Sequence, residues 1–184
     1  MATKGGNTDH TPALAAAVVR ANIGVPSKEF YASGDRPLAF YMLGSYTQAS
    51  AVGLGIALGT KRRVVVLDGD GSLLGSAVLP VIAARAPENL TIVCLDNGAF
   101  GSTGNQPTCA ATGADLELMA RAAGFTRTWK ASEPRGIGEA MAAGSRGRSE
   151  LHAHVDHLAG KATVTTIPLA LSSKLDLCRS PATA

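Results

Sequence analysis

Two short pieces of this sequence carry residue types suited to gripping a phosphate and a hard cation. One is Leu67-Asp68-Gly69-Asp70-Gly71-Ser72; the other is Asp96-Asn97-Gly98-Ala99-Phe100-Gly101. Gly69 and Gly71 lack a Cβ, so the backbone there can approach a phosphate closely. Asp70 offers a carboxylate oxygen and Asn97 a neutral amide oxygen, donors that Mg²⁺ accepts alongside phosphate oxygens. A Gly-Asp-Gly turn alone is an ordinary turn after a strand. The pair is more specific, because each piece closes an apolar run.

Those runs, Val64 to Leu67 and Leu90 to Leu95, are continuous and β-branched-rich, as expected of strands covered on both faces. In a parallel sheet both would open at the carboxyl edge, where such folds bind ligands. A helix read from about Ser72 to Ala86 would present free N–H groups and its positive dipole end to a phosphate. Elsewhere the pattern predicts a short helix over 11–17, a strand or continued helix over 18–23, and a helix from Pro26 to Tyr31. A strand over 38–43 and an Ala/Gly-rich helix over 46–59 come next. Residues 97–114 read as a long polar loop, a length that in a compact domain usually serves function. Asp115 caps a helix to Ala123; a strand over 125–129, a helix over 134–143 and a strand over 151–155 complete the pattern. Strands alternating with helices imply an α/β fold of three layers, a mainly parallel sheet with helices on both faces.

At 184 residues the chain fits a single domain, 1–184, with a loose leader over 1–10 and an extended tail over 160–184. Aromatics make up only 4%, so the core must be built from small aliphatic side chains. A net charge of +3 without a dense Lys/Arg run argues against a nucleic-acid partner. No apolar stretch has the length of a membrane span. Cys94, Cys109 and Cys178 are odd in number and widely spaced, which suggests reduced thiols and a cytoplasmic setting, with Cys94 on a buried strand.

Gly69-Asp70-Gly71, a spacer of 24 residues (72–95) and Asp96-Asn97 resemble the signature of thiamine-diphosphate enzymes. Longer segments resemble the sulfopyruvate decarboxylase beta-subunit family, with phosphonopyruvate decarboxylases as near relatives. These are Ala21 to Glu29, Phe40 to Ser45, Asp68 to Leu74 and, most specific, Asp96 to Thr108. The resemblance implies that Asp70, Asn97 and the backbone carbonyl of Ala99 hold Mg²⁺, while Gly69, Gly71 and Ser72 meet the diphosphate of thiamine diphosphate. Gly44, Ser45 and Tyr46 would face the aminopyrimidine ring, and Phe100 and Gly101 would also belong to the cofactor site. It further implies decarboxylation of a small anionic 2-oxo acid, sulfopyruvate before phosphonopyruvate, or a related carboligation. No carboxylate of this chain stands in the context of the Glu that activates the cofactor, so a pyrimidine-binding alpha subunit in a hetero-oligomer would donate it. Ser102 and Thr103 could meet the substrate's second anion, or simply sit in a solvated loop.

The family segment Gly-Ser-Met-Gly reads Gly44-Ser45-Tyr46-Thr47 here, with Tyr in place of the wedge-forming Met and Thr in place of Gly. That departure implies either a reshaped pocket or a compromised site, and it keeps open a non-catalytic partner subunit. Two further motifs favour plainer readings. His152-Ala153-His154-Val155-Asp156-His157 has zinc-site spacing, but lacks the downstream ligands such a site needs. Gly53-Leu54-Gly55-Ile56-Ala57-Leu58-Gly59 imitates a dinucleotide fingerprint inside a helix, where small residues serve tight packing.

Overall fold

The computed structural model describes residues 18–21, 24–42, 45–75, 77–144 and 149–154. Their order is β1 (Val18–Ala21), α1 (Val25–Ala32), β2 (Ala39–Tyr41), α2 (Ala49–Gly59), β3 (Val64–Gly69), α3 (Asp70–Leu74), α4 (Leu79–Arg85), β4 (Leu90–Asp96), β5 (Ala99–Phe100) and β6 (Gln106–Pro107). A 3₁₀ turn (Ala110–Thr112), α5 (Leu116–Ala122), β7 (Thr128–Ala131), α6 (Pro134–Gly144) and β8 (Ser149–His154) follow. Six strands make one sheet in the order β2-β1-β3-β4-β8-β7, and every pairing in it is parallel. This is the expected α/β architecture.

Alternation along the central strands supplies two cores. Val64 and Val66 of β3, with Leu90, Ile92 and Cys94 of β4, face Leu54, Ile82, Leu116 and Ala120 of the helices on one side. Val65 and Val93 face Phe30, Ala140 and Met141 on the other. Within the Gly53–Gly59 run, Gly53 packs as its type suggested: a Cβ there would stand 2.2 Å from Val66 Cγ2, so α2 lies against β3 at glycine distance, whereas Gly55 and Gly59 face open space. Cys94 is buried and Cys109 exposed. Among the described residues no helix is long and apolar enough to cross a membrane.

Four expectations change. The helix expected over 72–86 is two helices. It stops at Gly75, whose N–H turns back to the Leu73 carbonyl, and restarts with Pro80 in the first turn of α4, where a missing N–H does no harm. The strand expected at Phe125 begins at Thr128. Phe125 instead closes α5: Gly124, at φ +103°, donates to the Arg121 carbonyl and Phe125 to that of Ala120. Within the loop over 97–114, β5 and β6 pair as an antiparallel hairpin. The helix expected from residue 46 starts at Ala49, because Thr47 has φ +66°. Val18–Ala21 is a strand, not a helical extension. The readings of 1–17 and 155–184 lie outside the described residues.

The Asp115 cap forms as expected: Oδ1 accepts from the amides of Glu117 (3.0 Å) and Leu118 (3.1 Å), and Oδ2 meets Lys130 Nζ at 3.0 Å. The Leu118 amide, then Lys130, hold its carboxyl below the usual range. A depressed folded pKa stabilises above the unfolded value and is lost as pH falls through the folded one. Asp115→Ala should therefore cost about 1 kcal/mol near neutral pH, with the difference from wild type vanishing in acid, as read by urea unfolding across pH. Gly53→Ala should cost about 1–3 kcal/mol in the same assay, because Val66 is stiff at χ1 and fully buried.

Candidate functional site

The two chemical pieces end neighbouring strands. β3 and β4 run parallel with Gly69 opposite Leu95, so Asp70 and the Asp96-Asn97 pair leave the sheet at the same edge. The chain order reverses one strand away, between β1 and β3, and such switch points are where open parallel sheets bind ligands.

Asp70 begins α3 directly after the strand and is buried, at 2% exposure. Burial raises its pKa; the Thr108 hydrogen bond opposes that, the neighbouring charge of Asp96 adds to it, and the backbone amides of Gly71 and Asp70 oppose it. No cationic side chain is among these influences, and their net effect is to raise the pKa of the Asp70 carboxyl. Asp68, two residues earlier on β3, is held differently, by the Ser50 hydroxyl (2.8 Å) and the Gly69 amide (3.1 Å).

Thr108 joins the two pieces. Its hydroxyl donates to Asp70 Oδ2, and its amide donates to the Gly98 carbonyl at 2.9 Å. The second piece folds as two consecutive side-chain turns: Asp96 Oδ1 accepts from Gly98 N (3.0 Å), and Asn97 Oδ1 from Ala99 N (3.1 Å). Gly98 takes φ +68°, a conformation open to glycine. The Ala99 carbonyl accepts from Gly101 N at 3.0 Å. The Asn97 and Ala99 oxygens each keep a second lone pair, as carbonyl-type acceptors do.

The Phe100 ring lies across Gly71, where a Cβ would stand 2.3 Å from Cε1. Gly71 therefore meets a ring as well as lying in the turn expected to meet a phosphate. Tyr46 packs beside Phe100, with centroids 6.4 Å apart, and its hydroxyl donates to the Gly71 carbonyl at 2.6 Å. Thr47 N donates to Ser72 Oγ at 3.2 Å. Ser45 closes the same turn through its carbonyl, which accepts from Gln48 N. Gly44 lies outside the described residues.

Ser102 and Thr103 are exposed at the hairpin tip, next to exposed Gly101. Ser102 lies against the turn that precedes α1, its Oγ 3.0 Å from where a Gly24 Cβ would sit. Thr103 Oγ1 is turned into its own hairpin, 3.1 Å from Gln106 Oε1. Beside the second piece, a cleft of about 560 Å³ is lined by Asn97, Gly98, Ala99, Pro107, Asp115 and Lys130 among others, and Asp70 does not line it. Among the described residues no group of three or more His, Cys, Asp and Glu side chains forms a metal centre. The histidine motif gains no support as a zinc site; His152 and His154 are on β8, and Asp156 and His157 lie outside the described residues.

Residues 24–155 match the family described as thiamine pyrophosphate enzyme, C-terminal TPP binding domain. The chain belongs to this family. It is 46% identical over 149 residues to the sulfopyruvate decarboxylase of Methanosarcina acetivorans, covering 80% of this chain and 38% of that protein. It is 50% identical over 109 residues to the sulfopyruvate decarboxylase subunit beta of Methanothermobacter thermautotrophicus, covering 59% of this chain and 58% of that one. The chain thus spans less than two thirds of either curated relative. A solved structure from Mycobacterium smegmatis, described as that of a candidate thiamin diphosphate-dependent enzyme, has a TM-score of 0.58 at 22% identity. It covers 76% of this chain and 28% of that one, a likeness of fold.

The thiamine pyrophosphate-binding domain thus contains, in Thr108, a residue that reading the motifs did not single out. It stands at the end of the most specific segment, but a threonine closing a polar loop carries no signal of its burial or of its carboxylate partner. Ser50, which holds Asp68, was equally hidden inside an Ala/Gly-rich helix. Thr108→Val, which keeps the shape and removes the hydroxyl, should destabilise the cofactor-free chain by about 1–3 kcal/mol through an unsatisfied Asp70 oxygen, whereas Thr108→Ser should restore most of that loss in thermal unfolding.

Proposed function

We propose that this chain is the diphosphate- and metal-binding part of a thiamine-diphosphate-dependent 2-oxo acid decarboxylase, acting on sulfopyruvate together with a pyrimidine-binding partner subunit. The observation that carries the proposal is the meeting of Asp70 and the Asp96-Asn97 turn at one sheet edge, bridged by Thr108, within a chain 46% identical over 149 residues to a sulfopyruvate decarboxylase. The beta-subunit name of the second relative supports a partner chain.

The residues present suit the cofactor. Asp70 gives a buried carboxylate lacking a cationic partner among the groups that shift it, and Asn97 and the Ala99 carbonyl give neutral oxygens. This is the hard oxygen set that Mg²⁺ takes with a diphosphate. Gly69, Gly71 and Ser72, small residues on a turn flanked by Phe100 and Tyr46, would bring backbone to the diphosphate. When bound, thiamine diphosphate supplies the nucleophilic carbon and the electron sink. The protein's share is to hold the diphosphate end rigidly, so that the reactive ring is presented at a fixed depth, and to wall the site with Tyr46 and Phe100. The reaction takes sulfopyruvate and a proton to sulfoacetaldehyde and CO₂.

In the assembled complex, thiamine diphosphate and Mg²⁺ should support loss of sulfopyruvate with release of one sulfoacetaldehyde per CO₂. Asp70→Ala and Asn97→Ala should each lower kcat/KM by about a hundredfold or more, because losing a ligand should cost at least the upper end of the roughly 10–100-fold lost with its orienting partner. Absence of cofactor binding by the wild-type complex, or full activity in either variant, would overturn the assignment. Phosphonopyruvate in a parallel assay tests the substrate, because the Asp96 to Thr108 segment resembles enzymes of both kinds.

A further inference from the structure

The Tyr46-Thr47 pair, where the family resemblance has Met-Gly, is built into the site rather than merely tolerated by it. Three contacts join it to the Asp70–Gly75 segment. The Tyr46 hydroxyl donates to the Gly71 carbonyl at 2.6 Å, and the Thr47 amide to Ser72 Oγ at 3.2 Å. The Thr47 methyl Cγ2 occupies a notch that only a glycine at 75 leaves open, 2.5 Å from an ideal Gly75 Cβ.

The first contact meets a specific need. In a continuing helix the N–H of Gly75 would serve the Gly71 carbonyl, but Gly75 donates to Leu73 instead. Tyr46 supplies a donor to that carbonyl. Because the peptide is trans and planar, fixing the Gly71 C=O also fixes the Ser72 N–H of the same unit, pointing the opposite way. Thr47 holds a left-handed conformation, φ +66°, that is unfavourable for a β-branched residue. Unfavourable backbone of this kind persists where surrounding contacts over-determine it, as the hydrogen bond to Ser72 and the Gly75 notch do here.

We infer that Tyr46 is a positioning residue, whose phenol clasps the Gly71 carbonyl and thereby presets the Gly71-Ser72 peptide for a diphosphate ester. The inference rests on the function proposed above for the identity of the ligand, but not for the clasp itself. Half of the Tyr46 surface remains exposed, and its ring flanks Phe100, so the residue belongs both to the turn and to the open face of the site.

Tyr46→Phe keeps the ring and removes the donor. In the full chain without cofactor, amide exchange at Ser72, Leu73 and Leu74 should accelerate about fivefold, while exchange in β4 stays unchanged. In the assembled complex the KM for thiamine diphosphate should rise about fivefold, with kcat at saturating cofactor within about twofold of wild type. Tyr46→Met, which also lacks the donor, should match the exchange result. Unchanged exchange in Tyr46→Phe overturns the clasp, whatever the kinetics. A fall in kcat with an unchanged cofactor KM overturns the positioning role. Should the wild-type complex prove not to use thiamine diphosphate, the functional reading falls, and the exchange comparison alone decides the clasp.

Discussion

The parallel pairing of β3 with β4 is the constraint on which the site depends. It is a backbone property, fixed by Val64 to Gly69 lying in register with Leu90 to Leu95. Two turns separated by a whole helical crossover are brought to one edge because both strands are buried and point the same way. Burial on both faces leaves a strand little freedom to slip, since a shift of one residue would exchange the contents of the two cores. The position of Asp70 relative to Asn97 therefore follows from the packing of valines and isoleucines that take no part in any chemistry.

Buried negative charge is the second theme. Asp68, Asp70 and Asp96 are all buried near the ends of these strands, and each accepts from neutral donors. Asp68 takes a serine hydroxyl and an amide, Asp96 an amide of its own turn, and Asp70 a threonine hydroxyl from the far end of a loop. Neutral donors satisfy hydrogen-bonding geometry without cancelling charge. The arrangement keeps all three carboxylates oriented at the ends of the strands.

Much of this was legible in the residues. The apolar runs at 64–67 and 90–95 announced buried strands, and Gly69-Asp70-Gly71 with Asp96-Asn97 marked their ends, because continuous aliphatic patterning and turn chemistry are local signals. What escaped was non-local. Thr108 meets Asp70 only because the β5–β6 hairpin folds the loop back, and the hairpin is two residues long on each side, too short to show a period of two. The break at Gly75, by contrast, was signalled: Gly75 and Pro80 both fall inside the run expected as one helix, and a proline belongs in a first turn rather than an interior, so the continuous apolar pattern of 78–84 carried too much weight. Phe125 looked like a strand residue, yet its amide and ring close the preceding helix. From sequence the Tyr46-Thr47 substitution reads as either a reshaped pocket or a compromised site, since nothing in the chain order brings residue 46 next to residue 71.

The Thr47–Gly75 contact makes these two positions historically dependent. A side chain at 75 would collide with the threonine methyl, whereas a glycine at 47 would leave 75 free to vary. Any ancestor bearing alanine at 75 had to lose that methyl before threonine could be accepted at 47. The two sites should consequently covary across descendants, although 28 positions of chain separate them.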